Sequence, residues 1–246
     1  MKYPSLLLSL IMFACVHSQT NKHHKAYKAK SSITVDGYAN EPVWNDAAPL
    51  ILSNFYDNDT KEEGQQTKAK ISWDDSKLFI FFECQDKYLT AREVNRDGMP
   101  FLDDCAEVFL IPDPNPLNMH FGFEVNLYKA ANDFIFINGM GKAGFVSVKA
   151  YNPEIEVEIK VNGTINNNSD IDSGWTMEIA IPISAFHTNG LTNTFNPAQT
   201  WRMQLLRQDR NKMKSEQHTT YTLFPLLENR DVHDPQSFGK LLFTQN

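Results

Sequence analysis

The chain has 246 residues, 41% hydrophobic and 12% aromatic, enough to fill one sizeable core and too many to leave the body of the chain disordered. A formal charge of −7 argues against nucleic acid as a partner. One domain is therefore the expectation.

The first 18 residues, within MKYPSLLLSLIMFACVHSQT, place Lys2 ahead of an apolar run from Leu6 to Val16 that is too short to span a bilayer. Residues 1–18 are read as a signal peptide cleaved before Gln19, which predicts a secreted or periplasmic protein. Cys15 after Ala14 is the weaker alternative, a lipoprotein acceptor. Residues 19–30, QTNKHHKAYKAK, are polar and basic with no apolar face, so they are read as a flexible tail. The domain proper is placed at residues 31–246.

Strand patterns dominate from there on, and no dozen residues carry the helical spacing of apolar positions. TKAKISW, KLFIFFECQ, AEVFLI, FGFEVNLY, NDFIFING, EIEVEIKV, WTMEIAIP, WRMQLLRQD and FGKLLF all read as strands. Clusters of Pro, Gly, Asn and Asp separate them. EIEVEIKV alternates without a break, so it covers a core with one face only. KLFIFFECQ is apolar on both sides and belongs at the centre of a sheet. Many short strands at this spacing predict an all-β, two-sheet antiparallel β-sandwich. Trp44, Trp73, Trp175 and Trp201 are read as packing residues. An oxidising compartment would permit a Cys84–Cys105 disulfide.

The chemistry is narrowed by what is missing. There is no G-x-S-x-G elbow, and His120, His187, His218 and His233 stand on separate segments without zinc-ligand spacing. Each is read as a surface or loop histidine. Oxygen-rich stretches, YDNDTKEE, Asp103–Asp104 and NNNSDIDS, suit structural calcium, although none follows the EF-hand spacing.

Strand parity then selects a polar face. In FGFEVNLY, Phe121, Phe123 and Val125 point one way, leaving Glu124 and Asn126 on the other. In WRMQLLRQD, Trp201, Met203 and Leu205 point inward, leaving Gln204 and Gln208 opposite. Carboxylates and amides can pair with sugar hydroxyls, and an aromatic ring can stack on the C–H face of a pyranose. Phe101 and Glu107 in MPFLDDCAEVF supply such groups. As a catalytic pair, Glu107 with Glu124 is the hydrolase alternative, but a single strand cannot clamp both sides of a glycosidic bond.

The order of these segments resembles the family 9 carbohydrate-binding modules and their DOMON-like relatives. The resemblance opens at ITVDGYANEPVWNDA. It continues through KISWDDSKLFIFFECQD, DDCAEVFLIPD, FGFEVNLY, SGWTMEIAIPISAF and WRMQLLRQDR to DPQSFGKLLF. It implies a β-sandwich with a sugar site on its concave side, metal ions that are usually structural calcium, and no catalysis by the module itself. It maps Phe101 to the stacking aromatic, Glu107, Glu124 and Asn126 to polar contacts, and Asn229 to the asparagine before the closing Asp-Pro. Two departures stand out: Asp231-Val232-His233-Asp234-Pro235 lacks the second tryptophan of sugar binders, and Glu124 occupies the place of a basic residue. Tyr221 or His233 is the candidate replacement for that second aromatic face.

The resulting expectation is a monomeric, non-catalytic binder of oligosaccharide or polysaccharide, serving carbohydrate catabolism beside a separate glycoside hydrolase. The alternatives are a haem-binding electron-transfer module using Met99, Met119 or His120, and a hydrolase component.

Overall fold

The computed structural model describes residues 23–55, 65–112, 118–187, 195–210, 219–227 and 230–245. In chain order these form β1 (His23–Lys28), a short helix α1 (Pro42–Asp46), β2 (Leu50–Ile51), β3 (Asn54–Phe55), β4 (Thr67–Trp73) and β5 (Lys77–Cys84). A 3-10 turn at Pro100–Leu102 leads into β6 (Cys105–Ile111), followed by β7 (Met119–Asn126), β8 (Ala131–Ile137), β9 (Val146–Val148) and β10 (Glu156–Asn162). The chain closes with β11 (Gly174–Pro182), β12 (Thr200–Asp209), β13 (Thr219–Thr222) and β14 (Gly239–Thr244). Every strand expected from alternation is present. The short β2, β3, β9 and β13 are additional, because two to four residues carry too little pattern to be read.

The hydrogen-bonded order runs β10-β11-β5-β4-β1-β14-β12-β6-β7-β8-β9. This path curls back on itself: Ile80 and Ile179 from one end share a core with Val108, Phe121 and Leu205 from the other. Each fully buried large side chain there contributes about 1.5–3 kcal/mol. All four tryptophans are buried, as expected. Cys84 and Cys105 are buried free thiols, so no disulfide joins them.

Two expectations are corrected by β1. Residues 23–28, read as part of a flexible tail, form a strand paired with β14 over five residues and with β4 at Tyr27 and Lys28. Both pairings are parallel, so the sheet is mixed rather than wholly antiparallel. The sequence hides this because a strand at the seam between two others is held by main-chain bonds and needs little apolar surface. Only His24 and Ala26 of β1 are buried. Trp73 Nε1 donates to Ala26 O at 3.1 Å and fixes the seam.

The outer faces are covered at two places. Val43 and Trp44 of α1 pack on Phe79, Phe81 and Ala180. On the far side, Phe109, Ile111, Phe134, Phe136, Leu206 and Phe238 form a second cluster on the outer face of β6, β7, β8 and β12. That outer face carries the residues singled out from the sequence.

Candidate functional site

Cross-strand register arranges this face in rows. Gln208, Cys105 and Asn126 form the first row, and Leu206, Glu107, Glu124 and Asn132 the second. Gln204, Phe109, Gly122 and Phe134 form the third. The face is thus polar at one end and aromatic at the other. Gly122 is needed at the boundary, because a Cβ there would lie 2.2 Å from Phe134 Cζ.

Glu107 and Glu124 stand directly opposite each other on β6 and β7, both buried. Their Cβ atoms are therefore roughly 5 Å apart. Gln208 Nε2 donates to Glu107 Oε1 at 2.8 Å, and Thr220 Oγ1 donates to Gln208 Oε1 at 2.6 Å, so the glutamate is aimed by a short chain of hydrogen bonds. Asn132 Nδ2 donates to Glu124 Oε2 at 2.7 Å. Burial raises the Glu107 carboxyl to about 7, and burial followed by the Glu107 charge raises Glu124 well above the usual range.

Asn126 shares the face but has no capacity left. Its Nδ2 donates to Glu93 O and to Asp103 Oδ2, each at 2.8 Å, and its Oδ1 accepts from the backbone N–H groups of Tyr128 and Ala130, each at 3.0 Å. It anchors the 93–103 loop, whose end carries Phe101, half-buried in the turn against β6 and β7. Gln204 is similarly committed: it donates to Phe224 O at 2.8 Å and accepts from Phe224 N at 2.9 Å. Asn229 lies outside the described residues.

The aromatic end shows how the two candidate second stacking faces, His233 and Tyr221, are engaged. His233 stacks on Phe109 with centroids 4.9 Å apart, and its Nδ1 lies 3.2 Å from Nε2 of His120. His120, read as a surface or loop histidine, is instead buried, because its parity on β7 matches Gly122 and Glu124 and turns it into the cluster of phenylalanines. Burial lowers His233 to about 4 and pushes His120 below its ordinary value. Tyr221 points into the core, where its hydroxyl donates to Asp209 Oδ2 at 3.4 Å.

A second polar centre follows no sequence motif, although parity with Leu205 turns Arg207 inward. Arg207 is fully buried, with Nη2 2.9 Å from Asp86 Oδ2 and 3.5 Å from Asp209 Oδ2. Asp104 joins them, held by the N–H groups of Thr90 and Arg210, each 2.6 Å away. One oxygen from each of Asp86, Asp104 and Asp209 lies within 4.8 Å of the others. All-oxygen ligands suit calcium, and three carboxylates against one guanidinium leave charge for a divalent ion to balance, so the residues fit the calcium the resemblance implies. The other proposed calcium segments do not converge here. YDNDTKEE lies outside the described residues, and Asp172 of NNNSDIDS is occupied by the N–H groups of Leu89 and Thr164. Asp103 likewise holds Arg92 and Glu93.

The haem ligand set is not assembled. Met119 points into the main core, His120 into the opposite aromatic cluster, and Met99 is exposed.

These features define a β-sandwich with one outer face that runs from polar to aromatic. The chain belongs to the carbohydrate family 9 binding domain-like family, whose model matches residues 35–246. Among solved structures, a Bacteroides uniformis protein assigned as carbohydrate-binding has a TM-score of 0.67 at 16% identity, covering 91% of this chain and 99% of its own. A family 9 carbohydrate-binding module from Caldicellulosiruptor kristjanssonii, solved with glucose and with cellotriose, gives a TM-score of 0.61 at 16% identity. Those alignments cover 91% of this chain and 97% and 95% of the respective structures. No curated protein matches the chain significantly.

Proposed function

We propose that this chain is a non-catalytic binder of oligosaccharide or polysaccharide, holding its ligand on the outer face of β6, β7, β8 and β12. The observation that carries the reading is the row of Glu107 and Glu124, aimed by Gln208 and Asn132, beside the anchored loop that presents Phe101. Phe101 stacks on a pyranose, and the carboxylates accept hydrogen bonds from its hydroxyls. Glucose and cellotriose bound to the Caldicellulosiruptor module support this ligand class. Both carboxylates rise from adjacent strands as one wall, whereas hydrolysis needs two acids flanking the bond.

Asn126 and Gln204 act as scaffold in this reading, and Asp86, Asp104 and Asp209 would hold a structural calcium. Cleavage of the captured glycan falls to a separate glycoside hydrolase, and the protein acts outside the cytoplasm as a monomer after removal of residues 1–18. Isothermal calorimetry against a panel of soluble glycans tests the central claim. Binding that weakens in Phe101→Ala and in Glu107→Ala is expected; a panel with no binder overturns it.

A further inference from the structure

The inference concerns the ligand class of this same face and rests on the sugar-binding reading. Acceptors outnumber donors where Glu107 meets Glu124. Each carboxylate receives one hydrogen bond, at Glu107 Oε1 and Glu124 Oε2, and neither forms an ion pair with any described residue. Glu107 Oε2 and Glu124 Oε1 therefore have no donor among the described residues. A third acceptor joins them: Asn132 is 5% exposed, its Nδ2 is spent on Glu124, and its Oδ1 is buried with no hydrogen-bond partner. A buried acceptor without a donor costs about 1–3 kcal/mol, so the orphaned Asn132 Oδ1, on the same row as two carboxyls with spare oxygens, points to a ligand that brings donors.

The surrounding groups do not supply the missing charge. Cys105 in the next row is a neutral thiol pushed well above its ordinary value by burial and then by the two glutamates. Lys149 is exposed and acts on Glu124 only through space. Gln208 and Asn132 are neutral amides. Hydroxyl groups of a neutral sugar would bring donors and no charge, so the facing pair would have to keep a proton in its buried setting rather than ionise.

We propose that Glu107, Glu124 and Asn132 form an ammonium subsite, and that the preferred ligand is an oligosaccharide carrying a free amino sugar. An ammonium group supplies N–H donors for Asn132 Oδ1 and the two spare carboxyl oxygens, and a positive charge that lets the facing pair ionise. Phe101 stacks on the ring that carries the amine. Acetylating the amine removes the charge and two of the three donors.

The test is calorimetry at pH 7 with three ligands of equal length: fully deacetylated glucosamine oligomers, their N-acetylated counterparts, and neutral gluco-oligosaccharides. The deacetylated ligand is expected to bind at least ~10-fold more tightly than the other two, the value of a single charge-assisted contact. Glu124→Gln and Glu107→Gln are each expected to reduce that preference about 10-fold, with a cooperative melting transition showing that the variant is folded. Equal affinity for all three ligands overturns the ammonium subsite and leaves the sugar-binding reading standing. Binding to none overturns both. A preference that survives in both variants places the amine elsewhere and also overturns the inference.

Discussion

Asn126 Nδ2 donates to Asp103 Oδ2 at 2.8 Å, and this bond ties the loop that carries Phe101 to β7. Because the amide makes four hydrogen bonds in all, Asn126→Ala is expected to destabilise the protein by about 2–4 kcal/mol, read from the urea midpoint. An unchanged midpoint would show that the loop is held by Arg92 and Glu93 on Asp103 alone.

Phe101 is half-buried, so trimming it leaves the core intact. Phe101→Ala should weaken glycan binding by roughly 1 kcal/mol, about fivefold, and hold thermal stability within a few degrees. Calorimetry and a melting curve on the same sample separate those outcomes.

Two groups packed away from water, Glu107 fully and His233 in part, give stability slopes of opposite sign. Glu107 has a folded pKa of about 7 against an ordinary 4.5, so the folded state holds its proton more tightly. The stabilisation is complete below about 4.5 and is lost as pH rises to 7. Glu107→Gln should therefore gain on the wild type by up to about 3 kcal/mol between pH 4.5 and 8. His233 is lowered to about 4 from 6.5, so its contribution is complete above 6.5 and is lost as pH falls to 4. His233→Phe should gain on the wild type toward pH 4. Urea titrations at four pH values would detect both slopes, and parallel curves for wild type and variant would refute either assignment.

Arg207 neutralises carboxylates that have no access to water. Arg207→Met leaves Asp86 and Asp209 buried beside an apolar side chain, and a loss of about 3–5 kcal/mol is expected by chemical denaturation. Adding Asp86→Asn to that variant should restore part of the loss.

Calcium should raise the melting temperature of the wild type and leave Asp104→Asn unmoved, since that substitution removes one of three converging carboxylate ligands. A wild-type melting curve indifferent to both calcium and chelator would mean that Arg207 alone balances the cluster.

Much of the candidate site could be read from side-chain alternation. Glu107, Glu124, Asn126, Gln204 and Gln208 do lie on one outer face, since a two-residue period is a property of each strand by itself. The same alternation turns Arg207 inward and His120 outward from the core.

By itself, then, the sequence determined the all-β class, the main strands, the face on which each residue lies and the family. Tertiary structure decided which of those residues remain available. Gln208 reaches Glu107 across 101 positions, His233 meets His120 across 113, and Arg210 caps Asp104 across 106. Such pairings depend on the order and register of strands distant in sequence, which local alternation does not encode. For the same reason Asn126 and Gln204, indistinguishable in pattern from binding residues, are consumed by Asp103 and Phe224, while Glu107 and Glu124 keep unsatisfied oxygens facing each other across one pair of strands.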